Sequence, residues 1–408
     1  MADLFTKKTI QHLLGSLILL AISATAARGE PPEQKQDSEK KTQGISFPVS
    51  YTGEVLGNLS GGAKQGAICE GVLNLAVKGD LEKLTGWRGG SFLVSGLYPH
   101  GASLTDKYVH DFNVLSNIDA YDSVRLYEVW IQQEFADGKL SLRVGQLLAD
   151  NEFFISENAA IFVNGAFGAI PVVSHSFSAP VYPLPAPGAR LHWKLNESFS
   201  VQTGVYDGDP GDASEDNRHG VDWHLNGCEG VLALTEIAYT YDRGKGRLGG
   251  VYKVGGFYHS ASENDDFPEL GCCANAGGYF IADQTLWRKP GTEDEGLSAF
   301  LRIGGAPSNR NAVPFYFDTG FNFKGLFPGR EADIAGIGFS YNKLSSDLRN
   351  EVGAALDRHH EAILEATYKI RVAEWMTLQP DVQYIFNPGA VKKADNALVA
   401  GLRFNVSF

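Results

Sequence analysis

The last eleven residues, Leu398-Val399-Ala400-Gly401-Leu402-Arg403-Phe404-Asn405-Val406-Ser407-Phe408, alternate between two kinds of side chain. Every even-numbered position is apolar, whereas the odd-numbered positions include Arg403, Asn405 and Ser407. An alternation with a period of two places the two sets on opposite faces of a β-strand. A transmembrane strand needs about 9–11 residues, so this segment is long enough to cross a bilayer at a tilt.

The same pattern continues towards the N-terminus in residues 360–373 and 375–386, which meet at the short turn Ala373-Glu374. In a soluble sandwich the polar faces would meet water and the apolar faces would pack against a second sheet. Here the apolar faces carry aromatic residues towards their ends, as a membrane interface requires. The opposite faces carry Arg, Lys, Glu and Asp, as a water-filled lumen allows. The pattern therefore favours a transmembrane barrel over a sandwich.

Sixteen alternating segments are predicted along the chain. An even number of strands places both termini on the periplasmic side. Short connections, such as Asp137-Gly138 and Asn196-Glu197, alternate with long ones, as a periplasmic and an external rim require. The predicted strands are 47–58, 68–78, 90–99, 124–136, 139–148, 189–196, 198–207, 230–242, 248–259, 278–287, 297–306, 315–323, 333–342, 360–373, 375–386 and 397–408.

The longest connection, 149–188, is rich in aromatic and small residues, including Phe153-Phe154 and Gly165-Ala166-Phe167-Gly168. A structureless loop of this length is uncommon and usually functional. Its apolar clusters are unsuited to water. Two interpretations stay open, because the loop could fold into the barrel as a constriction or cover a neighbouring barrel. The predicted fold class is all-β, a 16-stranded antiparallel transmembrane β-barrel with inward-folded loops.

The composition excludes other classes of protein. The 408 residues include 48 acidic and 35 basic side chains, a net charge of −13, which argues against nucleic-acid binding. The mean hydropathy of −0.15 excludes a bundle of membrane-spanning helices. A positive start, a short apolar core and Ala24-Thr25-Ala26 predict a signal peptide over 1–26. A polar, flexible periplasmic segment is predicted over 27–46, and the barrel over 47–408.

Three of the four cysteines and several polar clusters fall outside the strand pattern, whereas Cys69 lies within the predicted strand 68–78. Cys228 and the adjacent Cys272 and Cys273 belong to neighbouring external loops, where one disulfide between them is expected in an oxidising compartment. The acidic run 207–212 departs from the calcium-loop pattern, which favours a plain acidic loop. No P-loop, dinucleotide-binding or nucleophile-elbow motif is present in the sequence, so we expect no cofactor and no enzymatic activity.

Several segments of the sequence resemble the OprB-type carbohydrate-selective porins of bacterial outer membranes. The resemblance extends over 47–408. It implies a 16-stranded barrel in the outer membrane, inward loops that form an eyelet, and passive diffusion of monosaccharides such as glucose. The lipid bilayer would be its surroundings, and the oligomeric state, monomer or trimer, stays open. The matching segments are 80–87, 127–133, 142–146, 162–168, 182–191, 378–385 and 387–389.

Alternation assigns individual side chains to the lumen. On the fourth predicted strand Tyr127 and Val129 would face lipid, which turns Glu128 and Trp130 inward. Arginine and glutamate offer fixed donors and acceptors to sugar hydroxyls, and an aromatic ring offers a plane to the sugar ring. The alternative is that these charges only pair with one another and keep the lumen wet. The candidate sugar-binding residues of the constriction are Glu128, Trp130, Arg125, Arg143, Arg190 and His192.

More distant strands carry further inward charges, which we interpret as a basic wall with acidic partners. Two other functions stay open from the sequence. The barrel could be a general porin for small solutes, or an outer-membrane hydrolase, although the sequence lacks a nucleophile motif. The basic residues of the wall are Arg302, Lys369, Arg371 and Arg403, and the expected partners are Glu365 and Asp381.

Overall fold

Sixteen long strands, each hydrogen-bonded to its neighbours in sequence, form the wall of a closed antiparallel barrel. The computed structural model describes residues 44–211, 217–223, 230–241, 248–262, 273–347, 358–391 and 394–408. The strands are β1 (Ile45–Ser46), β2 (Val49–Gly62), β3 (Gly66–Asp80), β4 (Gly90–Gly101), β5 (Arg125–Phe135), β6 (Leu140–Leu147), β7 (Ala186–Lys194), β8 (Phe199–Asp207), β9 (Val231–Tyr241), β10 (Gly250–Ser262), β11 (Cys273–Arg288), β12 (Gly296–Gly305), β13 (Phe315–Lys324), β14 (Ile334–Lys343), β15 (His360–Ala373), β16 (Met376–Phe386) and β17 (Asp395–Ser407).

The barrel closes where the last strand, β17, pairs with the first long strand, β2. In this pairing Arg403 lies opposite Glu54, and Leu402 lies opposite Val55. Closure hydrogen-bonds the two strands that would otherwise be the edges of the sheet, which is the requirement for a sheet in lipid.

Each of the sixteen predicted strands corresponds to one strand of the barrel, so the predicted fold class is confirmed. The largest difference is at β11, which begins five residues before the predicted strand at 278. The segment 27–46 was expected to be flexible, but its end forms β1, where Ile45 lies opposite Gly79 of β3. The predicted signal peptide, 1–26, lies outside the described residues, so that interpretation stays a prediction.

The two faces of the wall have opposite chemistry. Large apolar side chains are exposed on the outside, while charged side chains are buried on the inside, which reverses the arrangement of a soluble protein. The exposed apolar residues include Val55, Leu75, Val94, Val144, Val205, Ile237, Val254, Phe321, Ile337, Leu364, Val382 and Leu402. The buried charged residues include Glu54, Glu70, Arg190, Glu236, Asp283, Arg302, Asp318, Glu361, Glu365 and Asp381.

A β-bulge between β4 and β5 turns Tyr127 inward, so the prediction that Tyr127 faces lipid is wrong. The register of the two strands shifts between Val94 and Gly96. Tyr127 is only 7% exposed, and its ring centroid lies 6.4 Å from that of Tyr182, which belongs to a connection inside the barrel. A bulge adds one residue to one strand and reverses the facing of side chains beyond it. Counting by alternation cannot detect that extra residue.

Helical structure is limited to short pieces in the connections. The longest described helices, Leu81–Thr85 and Thr105–Val109, have 5 residues each. In the parts of the chain that the structure describes, no helix has the length and apolar character needed to cross a membrane.

We expect Val382→Arg to destabilise the barrel, because Val382 is 46% exposed on the apolar outer face of β16. An arginine on the lipid face costs about 2–4 kcal/mol near the bilayer midplane. Urea unfolding of protein in lipid vesicles measures this loss. Glu374→Arg, in the exposed turn before β16, is the control and should change the free energy of unfolding by less than about 0.5 kcal/mol. Equal stability of the two variants would contradict the assignment of the lipid face.

Candidate functional site

The connection between β6 and β7, residues 148–185, lies inside the barrel, and we call it the long inner loop. Phe153 and Phe154 are completely or almost completely buried, at 0% and 1% exposure. The ring of Phe154 lies 5.0 Å from that of Tyr279 on the barrel wall, centroid to centroid. Of the two interpretations of this segment, the structure agrees with the one in which the loop folds into the barrel.

A carboxylate of β15 binds the backbone of the long inner loop. The N–H groups of Val163 and Asn164 donate to the two oxygens of Glu365, at 2.6 and 3.0 Å. The side-chain amide of Asn164 donates to Gln383 at 2.9 Å. Glu365 was expected to pair with a basic wall. It instead satisfies backbone donors that have no sheet partner in the lumen.

Arg302 of β12 anchors the same loop through its carbonyl groups. Its guanidinium pairs with Asp318, with Nε 3.1 Å from each carboxylate oxygen, and donates to the carbonyls of Phe154 and Gly168 at 3.2 and 2.7 Å. Arg302 is 1% exposed. Arg302 therefore faces inward and has an acidic partner, but that partner is Asp318 and not Glu365 or Asp381, and these contacts enclose the guanidinium in protein.

The connection between β4 and β5, residues 102–124, also enters the lumen, and we call it the short inner loop. The N–H groups of Phe112 and Asn113 donate to Glu361 of β15 at 2.7 and 2.8 Å. The two inner loops contact each other, since the Gly165 N–H donates to the Val114 carbonyl at 2.9 Å. The sequence did not identify this second inner loop.

One group of lumen charges surrounds Glu152 of the long inner loop. Nη1 of Arg143 donates to one Glu152 oxygen, and Nε of Arg190 lies 2.9 Å from the other. Both arginines also donate to Gln132 Oε1, from Arg143 Nε at 3.0 Å and from Arg190 Nη2 at 3.2 Å. Arg190 further donates to Ser141 at 2.7 Å. We call Arg143, Glu152 and Arg190 the arginine–glutamate cluster.

Trp130 and Glu128 lie beside this cluster but are used in different ways. The guanidinium carbon of Arg143 lies 4.0 Å from the centroid of the Trp130 ring, which is a cation–π arrangement. Trp130 is only 9% exposed. Glu128 accepts a hydrogen bond from the Asn151 side chain at 3.1 Å. The structure thus brings Trp130 and Glu128 into the neighbourhood of Arg143 and Glu152.

Of the remaining two candidates, His192 lies beside the cluster, where it interacts electrostatically with Arg190 and Glu152, whereas Arg125 has other surroundings. His192 is partly buried on β7, opposite Ser141 of β6 in the strand pairing. Arg125 is 2% exposed and donates to the Asn217 carbonyl at 3.0 Å. Among the described residues, Arg125 shares no hydrogen bond with the arginine–glutamate cluster. Its contact is instead with the loop that follows β8.

Sequence reasoning missed Glu152, the residue that joins the cluster. Alternation assigns faces only within strands, and Glu152 belongs to a loop whose path depends on tertiary contacts. The available signal was the polar run Asp150-Asn151-Glu152 at the start of an otherwise apolar connection. Its three side chains now contact Tyr182, Glu128 and the two arginines, respectively.

Burial shifts the pKa of several ionisable groups of the long inner loop, among them Asp150 and His175. Burial raises the pKa of Asp150 to about 6, and the Tyr182 N–H, 3.0 Å from Oδ2, partly offsets this rise. Burial also lowers the pKa of His175 to about 4. At neutral pH His175 is therefore uncharged and Asp150 is ionised, and Asp150 takes up a proton as the pH falls through about 6.

The predicted disulfide cannot be located, because Cys228, Cys272 and the Cys273 side chain lie outside the described residues. That pairing stays a prediction. Cys69 is a free, exposed cysteine on β3. The acidic run 207–212 is described only as far as residue 211. Within the described ranges, no group of three or more His, Cys, Asp or Glu side chains could hold a metal ion.

Comparison with known proteins assigns this barrel to a family. Residues 64–408 match the family described as "Carbohydrate-selective porin, OprB family". The chain belongs to this family. Membership of the OprB family makes the protein an outer-membrane channel for carbohydrates and not an enzyme.

Several porins are similar to this chain over nearly its full length, in keeping with the family assignment. Porin B of Pseudomonas aeruginosa is 26% identical, covering 95% of this chain and 95% of its own. Putative porin QuiX of Acinetobacter baylyi is 24% identical, covering 92% of this chain and 91% of its own. The high-pH structure of Pseudomonas putida OprB has a TM-score of 0.81 and 25% identity, covering 90% of this chain and 94% of that one.

We expect Glu365→Gln to loosen the long inner loop and raise the single-channel conductance. Glutamine keeps one acceptor oxygen but directs an NH₂ group at one of the two N–H donors, of Val163 or Asn164. Leaving a buried donor unsatisfied costs about 1–3 kcal/mol of unfolding free energy. Planar-bilayer recordings and urea unfolding measure the two effects. Glu374→Gln, in an exposed turn, is the control, and equal conductance in both variants would contradict the anchoring role.

Proposed function

We propose that this porin lets monosaccharides of the glucose type diffuse passively past the arginine–glutamate cluster, which selects them by hydrogen bonding. The observation that carries the proposal is the position of Glu152. A single carboxylate from the long inner loop lies between Arg143 of β6 and Arg190 of β7, 2.9 Å from Arg190 Nε. The Glu152 carboxylate therefore holds the two guanidinium groups in fixed orientations beside the loop that narrows the lumen.

The chemistry of the cluster matches the hydroxyls of a sugar. Each guanidinium has five N–H donors in a planar fork, and the contacts to Glu152, Gln132 and Ser141 use only part of them. The carboxylates of Glu152 and Glu128 supply acceptors. A sugar that passes can exchange hydrogen bonds with water for hydrogen bonds with these groups. Transport requires that such binding stay weak, because a solute held tightly would block the channel.

Trp130 acts in this proposal as a positioning residue and not as a stacking plane for the sugar. One face of its ring is covered by the Arg143 guanidinium, 4.0 Å from the ring centroid, and the side chain is 9% exposed. Stacking on an aromatic ring restrains the long arginine side chain, which otherwise has many rotamers. Trp130 thus supports the orientation of Arg143.

Liposome swelling with purified, refolded protein tests the proposed selectivity. We expect glucose to enter faster than a neutral non-sugar solute of similar size, with a sharp fall for di- and trisaccharides. The reason is that the fixed donors and acceptors favour a hydroxylated ring that fits the constriction. Rates ordered by solute size alone would contradict sugar selection by the cluster and would favour a general porin for small solutes.

The variant Glu152→Gln tests the contribution of the cluster separately from that of the other lumen charges. Removing one negative charge leaves Arg143 and Arg190 without their shared carboxylate, so we expect glucose discrimination to fall and anion selectivity to rise. A hydrogen bond to a charged group is worth about 1.5–3 kcal/mol, so the glucose preference should fall by about 10- to 150-fold. Liposome swelling and the reversal potential in a salt gradient measure these changes.

The matched control is Glu157→Gln, which removes the same charge from an exposed position of the same loop. We expect both measured properties to stay within about twofold of wild type, as is usual for surface substitutions. If the two variants behaved alike, the general charge of the lumen and not the cluster would set the selectivity.

A further inference from the structure

Three polar side chains of neighbouring strands form a row on the inner face of the wall. In the strand pairings Gln132 of β5 lies opposite Arg143 of β6, and Arg143 lies opposite Arg190 of β7. Neighbouring strands lie about 4.8 Å apart, so the backbones of Gln132 and Arg190 are separated by about 9.6 Å, with Arg143 between them. The wall therefore places an uncharged amide beside two cations.

The two arginines of this row carry like charges at close range. Residues directly opposite each other on neighbouring strands have Cβ atoms about 4.5–5.5 Å apart, and like charges in such a pair are destabilising. The side chains of Arg143 and Arg190 are only 19% and 5% exposed, so solvent screens their repulsion only in part. An acceptor that both guanidinium groups share offsets this repulsion and fixes the distance between them.

Within the described residues, two groups accept hydrogen bonds from both arginines, and they come from different parts of the protein. One is the Glu152 carboxylate of the long inner loop, which accepts from Arg143 Nη1 and, at 3.3 Å, from Arg190 Nη2. The other is Gln132 Oε1, 3.0 Å from Arg143 Nε and 3.2 Å from Arg190 Nη2. Because Gln132 belongs to β5, its contact is part of the rigid wall and does not depend on the path of a loop.

The orientation of the Gln132 amide follows from its neighbours. Guanidinium groups have donors and no acceptor, so the amide oxygen and not the NH₂ group must face the two arginines. The NH₂ group instead donates to Glu134 Oε1, at 3.3 Å, two residues further along β5. Both ends of the amide are thus held, and the oxygen is kept between the two guanidinium groups.

An amide at this position accepts N–H groups without adding negative charge. Arg143 and Arg190 carry two positive charges, and Glu152 carries one negative charge. A carboxylate in place of the amide would cancel the remaining positive charge of this group. An apolar side chain would leave the loop carboxylate alone to offset the repulsion between the arginines.

We propose that Gln132 is a positioning residue for sugar selection. Its Oε1 holds Arg143 and Arg190 at one spacing and in one orientation, so that their remaining N–H groups meet a passing monosaccharide together. This inference rests on the proposed function of the arginine–glutamate cluster. Gln132 acts through the two arginines and needs no contact with the sugar, and it supplements Glu152, which reaches the same arginines from the loop.

Liposome swelling and reversal potentials of variants at position 132 test the proposal. Methionine is close to glutamine in length and volume but has no acceptor oxygen. We expect Gln132→Met to lower the ratio of glucose entry to entry of a neutral non-sugar solute of similar size by about fivefold, the loss for one ordinary hydrogen bond. The reversal potential in a salt gradient should stay unchanged, because no charge is altered. Gln132→Glu keeps an acceptor, so it should keep most of the glucose preference while shifting the reversal potential towards cation selectivity.

Gln133→Met is the matched control, because Gln133 is the next residue of β5 and its amide contacts Trp87 Nε1 and the Arg88 carbonyl. It should change both measured properties by less than about twofold. Gln132→Asn keeps the test decisive if Gln132→Met does not fold. Its amide is one methylene shorter and does not reach both guanidinium groups, so it should also lower the glucose preference.

Three results would overturn the positioning role of Gln132. They are a wild-type glucose preference in Gln132→Met or, where that variant does not fold, in Gln132→Asn, equal losses in Gln132→Met and Gln133→Met, and equal losses in Gln132→Met and Gln132→Glu. The first result would mean that the side chain only fills space. Wild-type protein without a glucose preference would instead overturn the proposed function, so the two failures are distinguishable.

Discussion

Two carboxylates on the inner face of β15 hold both inner loops against the barrel wall. Glu361 accepts the successive N–H groups of Phe112 and Asn113, and Glu365 accepts those of Val163 and Asn164. A loop inside a barrel has no neighbouring strand to satisfy its backbone, and each buried donor left free costs free energy. A carboxylate can accept two adjacent N–H groups at once, and hydrogen bonds to a charged acceptor are stronger than those between neutral groups.

The position of the arginine–glutamate cluster depends on these anchors. Once both loops are held by β15, they hydrogen-bond to each other, with the Asn117 N–H 2.8 Å from the Val163 carbonyl. Arg302 then fixes the middle of the long inner loop through the carbonyls of Phe154 and Gly168. Glu152 lies two residues before Phe154, so its carboxylate is held in place by contacts on the far side of the barrel. Arg143 and Arg190, by contrast, belong to the rigid wall.

The sequence predicted what depends on a local period and missed what depends on tertiary contacts. All sixteen strands and the inward facing of Arg143 and Arg190 follow from alternation, because the wall requires one face for lipid and one for the lumen. Tyr127 was misplaced because one bulge between β4 and β5 breaks the count. The sequence also did not predict which carboxylates pair with the lumen arginines. The pairing of Arg302 with Asp318 depends on the register of neighbouring strands, and the pairing of Arg143 with Glu152 depends on the path of a loop.

Ion pairing of the lumen charges is compatible with the solute selection that we propose for the arginine–glutamate cluster. Arg302 and Arg403 are paired with Asp318 and Glu54, and the Arg302 guanidinium is used fully in holding the fold. The arginine–glutamate cluster differs in its ratio, because two guanidiniums share one loop carboxylate. The shared carboxylate is close enough to orient both guanidinium groups. One carboxylate cannot accept hydrogen bonds from all of their N–H donors. Two arginines that are restrained in this way keep donors for the weak contacts with a hydroxylated solute that we propose.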